Sequence, residues 1–277
     1  VAIIVAGEPA YIHEFWTLED AVNSMSQPQG DLELLQKMLL ARLEQFPCRT
    51  MLDLPQAQLD LIKAVHGTGT PTVVVLVAGR PLTVRWIAEN IPAILMAYLP
   101  GTEGGNAVAD VLFGDYNPGG KLPISVANSI GQLPVRHDYK PHPFAENHPP
   151  AYAPLFEFGF GLSYTKFEYS DLNVSSKKIG PSGRIKVSVT VKNIGDRAGD
   201  EVVQLYVNDA YSSRVTPAKE LKGFKRITLE PRESEQVTFT LLMEDLGVLQ
   251  DNGKFVTEPG AFKVMIDKLE SGFEVTS

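Results

Sequence analysis

LPGTEGGNAVADVLFGDYNPGGKLPIS, residues 99–125, decides the fold of the N-terminal half. It follows an apolar run of strand length, Ala93 to Leu99. Pro100, Gly101, Gly104 and Gly105 make a tight turn. Asn106 to Phe113 then sets Ala107, Val108, Val111 and Leu112 at helical spacing. Gly114 stops that helix, and Asn117-Pro118-Gly119-Gly120 turns the chain again. Strand, glycine turn and helix in this order lay out an open α/β sheet, in which ligands bind beyond the carboxyl ends of the strands.

Upstream, Ala2–Ala6 and Thr72–Val77 are further continuous apolar runs, as parallel strands covered on both faces require. Between them Gln56–His66 aligns Leu59, Ile62 and Val65 on one helical face, and Gly67 and Gly69 end it. Residues 84–90 read as a second short helix. Asp31 caps a further amphipathic helix that carries Leu32, Leu35, Leu39, Leu43 and Phe46 and ends at Pro47. This helix reads either as a lid beside a site or as an extra surface helix on the sheet.

Downstream the period changes. Residues 127–168 hold Pro134, Pro141, Pro143, Pro149, Pro150 and Pro154 and read as an extended linker. His137, His142 and His148 within it are spaced neither for one helix face nor for a zinc motif. From residue 169 onward apolar residues alternate with polar ones: Ile185, Val187, Val189, Val191; Val203, Leu205, Val207; Val237, Phe239, Leu241; Phe262, Val264, Ile266. Asn193-Ile194-Gly195-Asp196, Asp251-Asn252-Gly253 and Pro259-Gly260 separate them as turns, which predicts a two-sheet β-sandwich. The fold class is therefore α/β plus all-β, with domains at 1–126 and 169–277 and the proline-rich linker, 127–168, between them.

A chain of 277 residues has room for two domains at about 100–200 residues each. Lys and Arg number 25 against 33 Asp and Glu, and the net charge of −8 argues against nucleic acid or an anionic membrane as partner. No apolar run approaches the roughly 20 residues of a membrane span. Cys48 is the single cysteine, so no internal disulfide forms. The chain opens inside a strand, Val1-Ala2-Ile3-Ile4-Val5-Ala6, and so reads as the C-terminal part of a longer polypeptide or one chain of a nicked one.

Chemistry gathers just after that strand, in Gly7-Glu8-Pro9-Ala10-Tyr11-Ile12-His13-Glu14-Phe15-Trp16. Carboxylates, a histidine, a tyrosine and a tryptophan leave a strand end together. Retaining glycosidases need two carboxyl groups about 5–5.5 Å apart, and a sugar ring stacks on an aromatic face. Glu8 reads equally as a partner of backbone amides in the turn, and Trp16 as a residue buried under the inserted helix. Arg80 reads as a structural ion pair, and Glu103 as a support for neighbouring loops. The turn Gly101 to Gly105 lacks both the following Lys-Ser/Thr and the Gly-x-Gly-x-x-Gly spacing of phosphate-binding loops.

In order along the chain, Gly7-Glu8, Leu54-Pro55, Thr70 to Leu76, Gly79-Arg80-Pro81, the 99–125 stretch, Phe158 to Tyr164 and Leu221-Lys222-Gly223-Phe224 resemble glycoside hydrolase family 3 of the β-glucosidase type. Residues 17–49 have no counterpart in it. The resemblance implies an α/β sandwich domain, then a fibronectin type III-like domain, downstream of a (β/α)8 barrel in cis or as a second chain. It implies a retaining exo-β-glycosidase acting on terminal β-D-glucosyl residues of oligosaccharides or glucosides, without cofactor or metal. The nucleophile is an aspartate of the barrel, and the general acid/base follows a Gly-Glu pair and a tyrosine, which falls on Glu14. His13 and Trp16 would contact substrate. Glu14 stands three residues after Tyr11 where the family pattern has two, and Thr17-Leu18-Glu19-Asp20 replaces the usual Gly-Asp or Gly-Asn. Glu8 and Glu19 therefore stay as alternatives. The resemblance also favours a secreted or periplasmic location and allows a homo-oligomer. Because the barrel carboxylate is absent from this chain, a non-catalytic carbohydrate-binding or scaffold role is the alternative reading.

Overall fold

The structure is a computed structural model, and it describes residues 1–8, 51–140 and 153–277. The helix expected from Leu32 to Phe46 lies outside the described residues. By its internal contacts the chain divides into two compact units, Val1–Gly105 with Ala127–Leu133, and Asn106–Val126 with Pro134–Ser277.

Among its described residues the first unit holds three parallel strands, β1 (Ala2–Gly7), β2 (Thr72–Val77) and β3 (Ala93–Met96), in that spatial order. Val5 pairs with Val75, and Val75 with Leu95. The central strand buries Val74, Val75 and Leu76 almost completely. β1 does not follow the expectation of cover on both faces: Ile3 and Val5 are 46% and 65% exposed. Among the described residues it lies at the edge of the sheet, paired with β2 alone. Helix α1 (Gln56–Gly67) joins β1 to β2 in the sheet order, buries Ile62, and begins after Pro55, whose extended backbone suits the position before a first turn. Short helix α2 (Arg85–Asn90) buries Ile87 between β2 and β3.

Helix α3 (Gly104–Phe113) follows β3, as the glycine turn predicts. Gly114 ends it at φ +87°, donating to the carbonyls of Asp110 and Val111. A side chain there would strain the backbone. The unit boundary falls within this helix.

The second unit contains the β-sandwich. Among the described residues one sheet has five strands in the order β5 (Lys178–Ile179)-β13-β12-β7-β8, the other has three in the order β4-β6-β9, and β10 (Val248–Leu249) pairs with β11 (Phe255–Val256). Their main members are β4 (Phe167–Val174), β6 (Arg184–Asn193), β7 (Gly199–Asp209), β8 (Glu220–Leu229), β9 (Ser234–Leu242), β12 (Gly260–Ile266) and β13 (Leu269–Val275). The alternating residues that predict the sandwich form its core: Val187, Val189, Val191, Val203, Val237, Val264 and Ile266 have no measurable exposure. Each such side chain contributes about 1.5–3 kcal/mol by leaving water.

Two polar knots complete the unit. Asn193 is fully buried yet satisfied on every side. Its Nδ2 donates to the carbonyls of Arg197 (2.7 Å) and Leu229 (3.1 Å), and its Oδ1 accepts from Thr165 Oγ1 (2.6 Å) and the Gly195 amide (3.0 Å). Glu201 of β7 accepts from Tyr169 Oη (3.0 Å) and from Lys121 Nζ (3.1 Å). Burial, reinforced by that carboxylate, pushes the Tyr169 hydroxyl well above its usual range. Residues 121–126 also exchange backbone hydrogen bonds with 155–160, so part of the proline-rich stretch is locked in a ladder. His137 of that stretch stacks on Phe158 with ring centroids 4.4 Å apart.

Candidate active site

The carboxyl ends of β1 and β2 bring together Glu8 and Arg80, two of the residues that the sequence singles out. Gly7 ends β1 against β2 so closely that an added Cβ would strike the Val77 carbonyl. The side chain of Gln58, in the first turn of α1, grips both backbone groups of Gly7: Oε1 accepts from its N–H (2.8 Å) and Nε2 donates to its carbonyl (2.9 Å). The Glu8 amide donates to the Val77 carbonyl (3.1 Å). The direction in which the chain leaves β1 is thus fixed by three hydrogen bonds.

Glu8 is held by Arg80, which follows β2. Arg80 Nε donates to Oε2 (3.1 Å) and Nη2 to Oε1, a two-pronged pair with the Glu8 side chain 1% exposed. The planar guanidinium matches a carboxylate in this fork geometry. Arg80 is therefore the ion-pair residue that its sequence context suggests, and its partner is Glu8. Nη2 also donates to the Met51 carbonyl (2.7 Å). Beside it Thr83 Oγ1 donates to Asp53, and the Thr83 amide to the Leu52 carbonyl (2.9 Å). The loop after β2 thereby holds both Glu8 and residues 51–53, the two described ends that flank residues 9–50.

At the end of β3 stands a residue that sequence reasoning did not single out. Tyr98 has φ +54°, rare for a side chain of its size, and its hydroxyl is buried with no hydrogen-bond partner among the described residues. Burial raises its pKa. Strained backbone of this kind collects at functional sites, but local sequence carries no signal for it, because aromatic residues ordinarily avoid the left-handed region. Glu103 lies in the turn before α3, at the same end of the sheet. Glu14, His13, Trp16 and Glu19 lie outside the described residues. Glu8 is thus held by its ion pair with Arg80 at the point where β1 ends.

Residues 1–164 match the model of the glycosyl hydrolase family 3 C-terminal domain, and residues 201–269 that of the fibronectin type III-like domain. A β-xylosidase of Formosa agariphila is 47% identical over 227 residues, covering 79% of this chain and 31% of the relative. The periplasmic β-glucosidase of Salmonella typhimurium is 44% identical over 229 residues, 79% of this chain and 30% of its own length. Among solved structures, a β-glucosidase from Erythrobacter marinus superposes with a TM-score of 0.78 at 36% identity, over 99% of this chain and 34% of that one. The chain thus spans about a third of the length of the relatives it matches. With family motifs in order along it and the domain model matched over more than half its residues, the chain belongs to glycosyl hydrolase family 3, of which it carries the C-terminal domain and a fibronectin type III-like domain.

Proposed function

We propose that this chain supplies the general acid/base loop of a retaining exo-β-glycosidase that releases terminal β-D-glucosyl residues. A barrel domain, in cis or as a second chain, completes the active site with the nucleophilic carboxylate. The observation that carries the reading is the anchored end of β1: the family's Gly-Glu pair sits at a strand terminus clamped by Gln58 and Arg80, and the acid/base segment begins there.

In the first step the barrel carboxylate attacks the anomeric carbon while Glu14 gives its proton to the departing glycosidic oxygen. In the second, Glu14 takes a proton from water, whose oxygen displaces the enzyme carboxylate from the same carbon. His13 and Trp16 flank Glu14 and contact the sugar, Trp16 by stacking. Relatives named β-xylosidase and β-glucosidase both match, so the pocket formed with the barrel selects between pentose and hexose. The periplasmic relative supports a secreted or periplasmic location, and a homo-oligomer is compatible with this reading.

The test uses the complete enzyme. Glu14→Gln should slow poor leaving groups by about 10²–10⁴-fold, the usual worth of general acid catalysis, and activated aryl groups far less. Azide should restore deglycosylation, since a small anion needs no general base. Glu8→Gln should show neither behaviour. If Glu8→Gln shows both and Glu14→Gln neither, the acid/base assignment fails while the family assignment stands. Residues 1–277 alone should not turn over an aryl β-glucoside, for want of the nucleophile; turnover at an ordinary glycosidase rate would support a self-sufficient site instead.

A further inference from the structure

The β-sandwich holds a concavity that none of the roles above uses. Its volume is about 380 Å³, within the roughly 300–1,000 Å³ of small-molecule sites. Val207 of β7, Phe262 of β12 and Leu246 are buried beneath it, and Val215 and Leu249 at its sides are 66% and 51% exposed. Its wall is a preformed loop. Asn208 Nδ2 donates to the Pro217 carbonyl (3.3 Å), Thr216 Oγ1 donates to the Asp209 carbonyl (3.3 Å), and Glu258 accepts from the Ser213 amide (2.8 Å).

Two polar groups in this lining are left over. Asp209 Oδ1 accepts from the Tyr211 amide (3.3 Å), but Oδ2 is buried with no hydrogen-bond partner among the described residues. Lys140 also lines the concavity, and no ion pair or hydrogen bond holds its ammonium among the described residues. The other charges are spoken for: Arg214 pairs with Asp251, and Lys222 donates to Glu220 (2.8 Å) and the Asp245 carbonyl (2.7 Å). An unmatched acceptor and an unmatched donor over an apolar floor are an incomplete hydrogen-bond set in a formed pocket.

We propose that this pocket binds a neutral saccharide ring, whose hydroxyls donate to Asp209 and accept from Lys140 while its C–H face lies on Val215 and Leu249. A hydroxyl both donates and accepts, so one ring satisfies both groups. An anion would meet the Asp209 carboxylate at close range, and an amine would meet three surrounding cations. The terminal torsion of an aspartate is soft, so a small rotation brings Oδ2 to the ligand. The site lies wholly in the second unit and is independent of Glu14.

The experiment titrates the whole 277-residue chain with thiocellobiose, whose sulfur linkage glycosidases do not cleave, and follows backbone amide resonances. We expect the amides of Asp209, Val215, Thr216 and Leu249 to shift together, with a Kd of about 1 mM. Asp209→Asn and, separately, Lys140→Ala should each weaken binding about 10-fold, as loss of a hydrogen bond to a charged partner does. Lys140 is at the exposed rim, so its variant remains informative if the aspartate variant folds poorly. Lys268→Ala, outside the pocket, should bind as the parent does. Absence of shifts at these amides, unchanged affinity in both variants, or shifts with inorganic phosphate in place of the sugar would each overturn the proposal.

Discussion

At the residue scale, Asp209 makes a sharp prediction. Burial pushes its carboxyl above the ordinary range, and the charge of Glu258 adds to the effect, against the Tyr211 amide and the Ser212 hydroxyl, which lower it. A carboxyl whose folded pKa is raised contributes stability that is full below its unfolded value, near pH 4, and lost as pH rises through the folded value. Asp209→Asn should remove that dependence, so the gap in urea midpoint between variant and parent should widen between pH 4 and pH 7 in favour of the variant. A gap that stays constant with pH would refute the assignment. Asn193 behaves oppositely. It satisfies two donors and two acceptors in a fully buried place, so Asn193→Ala should cost about 3 kcal/mol in equilibrium unfolding. Sequence reasoning marks Asn193 only as a turn residue, because its partners Thr165 and Leu229 are remote in the chain. The same holds at the candidate site: Glu8 and Arg80 are each visible as separate motifs, but their partnership spans a separation of 72 residues. Glu14 is legible only through the family pattern, since its type and neighbours alone fit a solvated loop as well.

At the scale of elements, strands and helices are legible because their periods are. Ile185 to Val191 alternate in sequence and bury in alternation, and Gly114 ends α3 where a left-handed residue is needed. The exposed face of β1 is not legible, since an apolar run reads alike at the edge and at the centre of a sheet. What joins β1, α1 and the loop after β2 is polar and long-range: the Gln58 grip on Gly7 and the Arg80 fork on Glu8. Arg80→Ala should destabilise the first unit by about 3 kcal/mol, the scale of a broken buried pair. Arg80→Lys should cost less, keeping the charge while losing the fork. Thermal unfolding of the two variants checks the order. In the complete enzyme Arg80→Ala, like Glu8→Gln, should leave the leaving-group dependence unchanged, because it loosens Glu8 without removing the proposed acid/base. A loss confined to poor leaving groups would instead make the Glu8–Arg80 pair part of the acid/base machinery.

At the scale of the whole molecule, the two compact units cut across the sequence-based division. Residues 106–126 group with the β-sandwich, and 127–133 with the parallel sheet. Local composition cannot show this, since the ladder between 121–126 and 155–160 pairs a glycine-proline turn with a proline-rich stretch. The three-part division at 1–126, 127–168 and 169–277 remains our proposal for the chain in solution, and limited proteolysis tests it. First cuts should fall within 127–168 or in Ser24–Gly30, and earlier cleavage inside 184–207 would contradict it. The guanidinium of Arg80 has a consequence at this scale too. By touching Glu8 and Met51 together, it ties the two described residues on either side of 9–50 to one loop. Glu8 and Met51 therefore keep one separation whatever links them, and Arg80→Ala releases both ends at once.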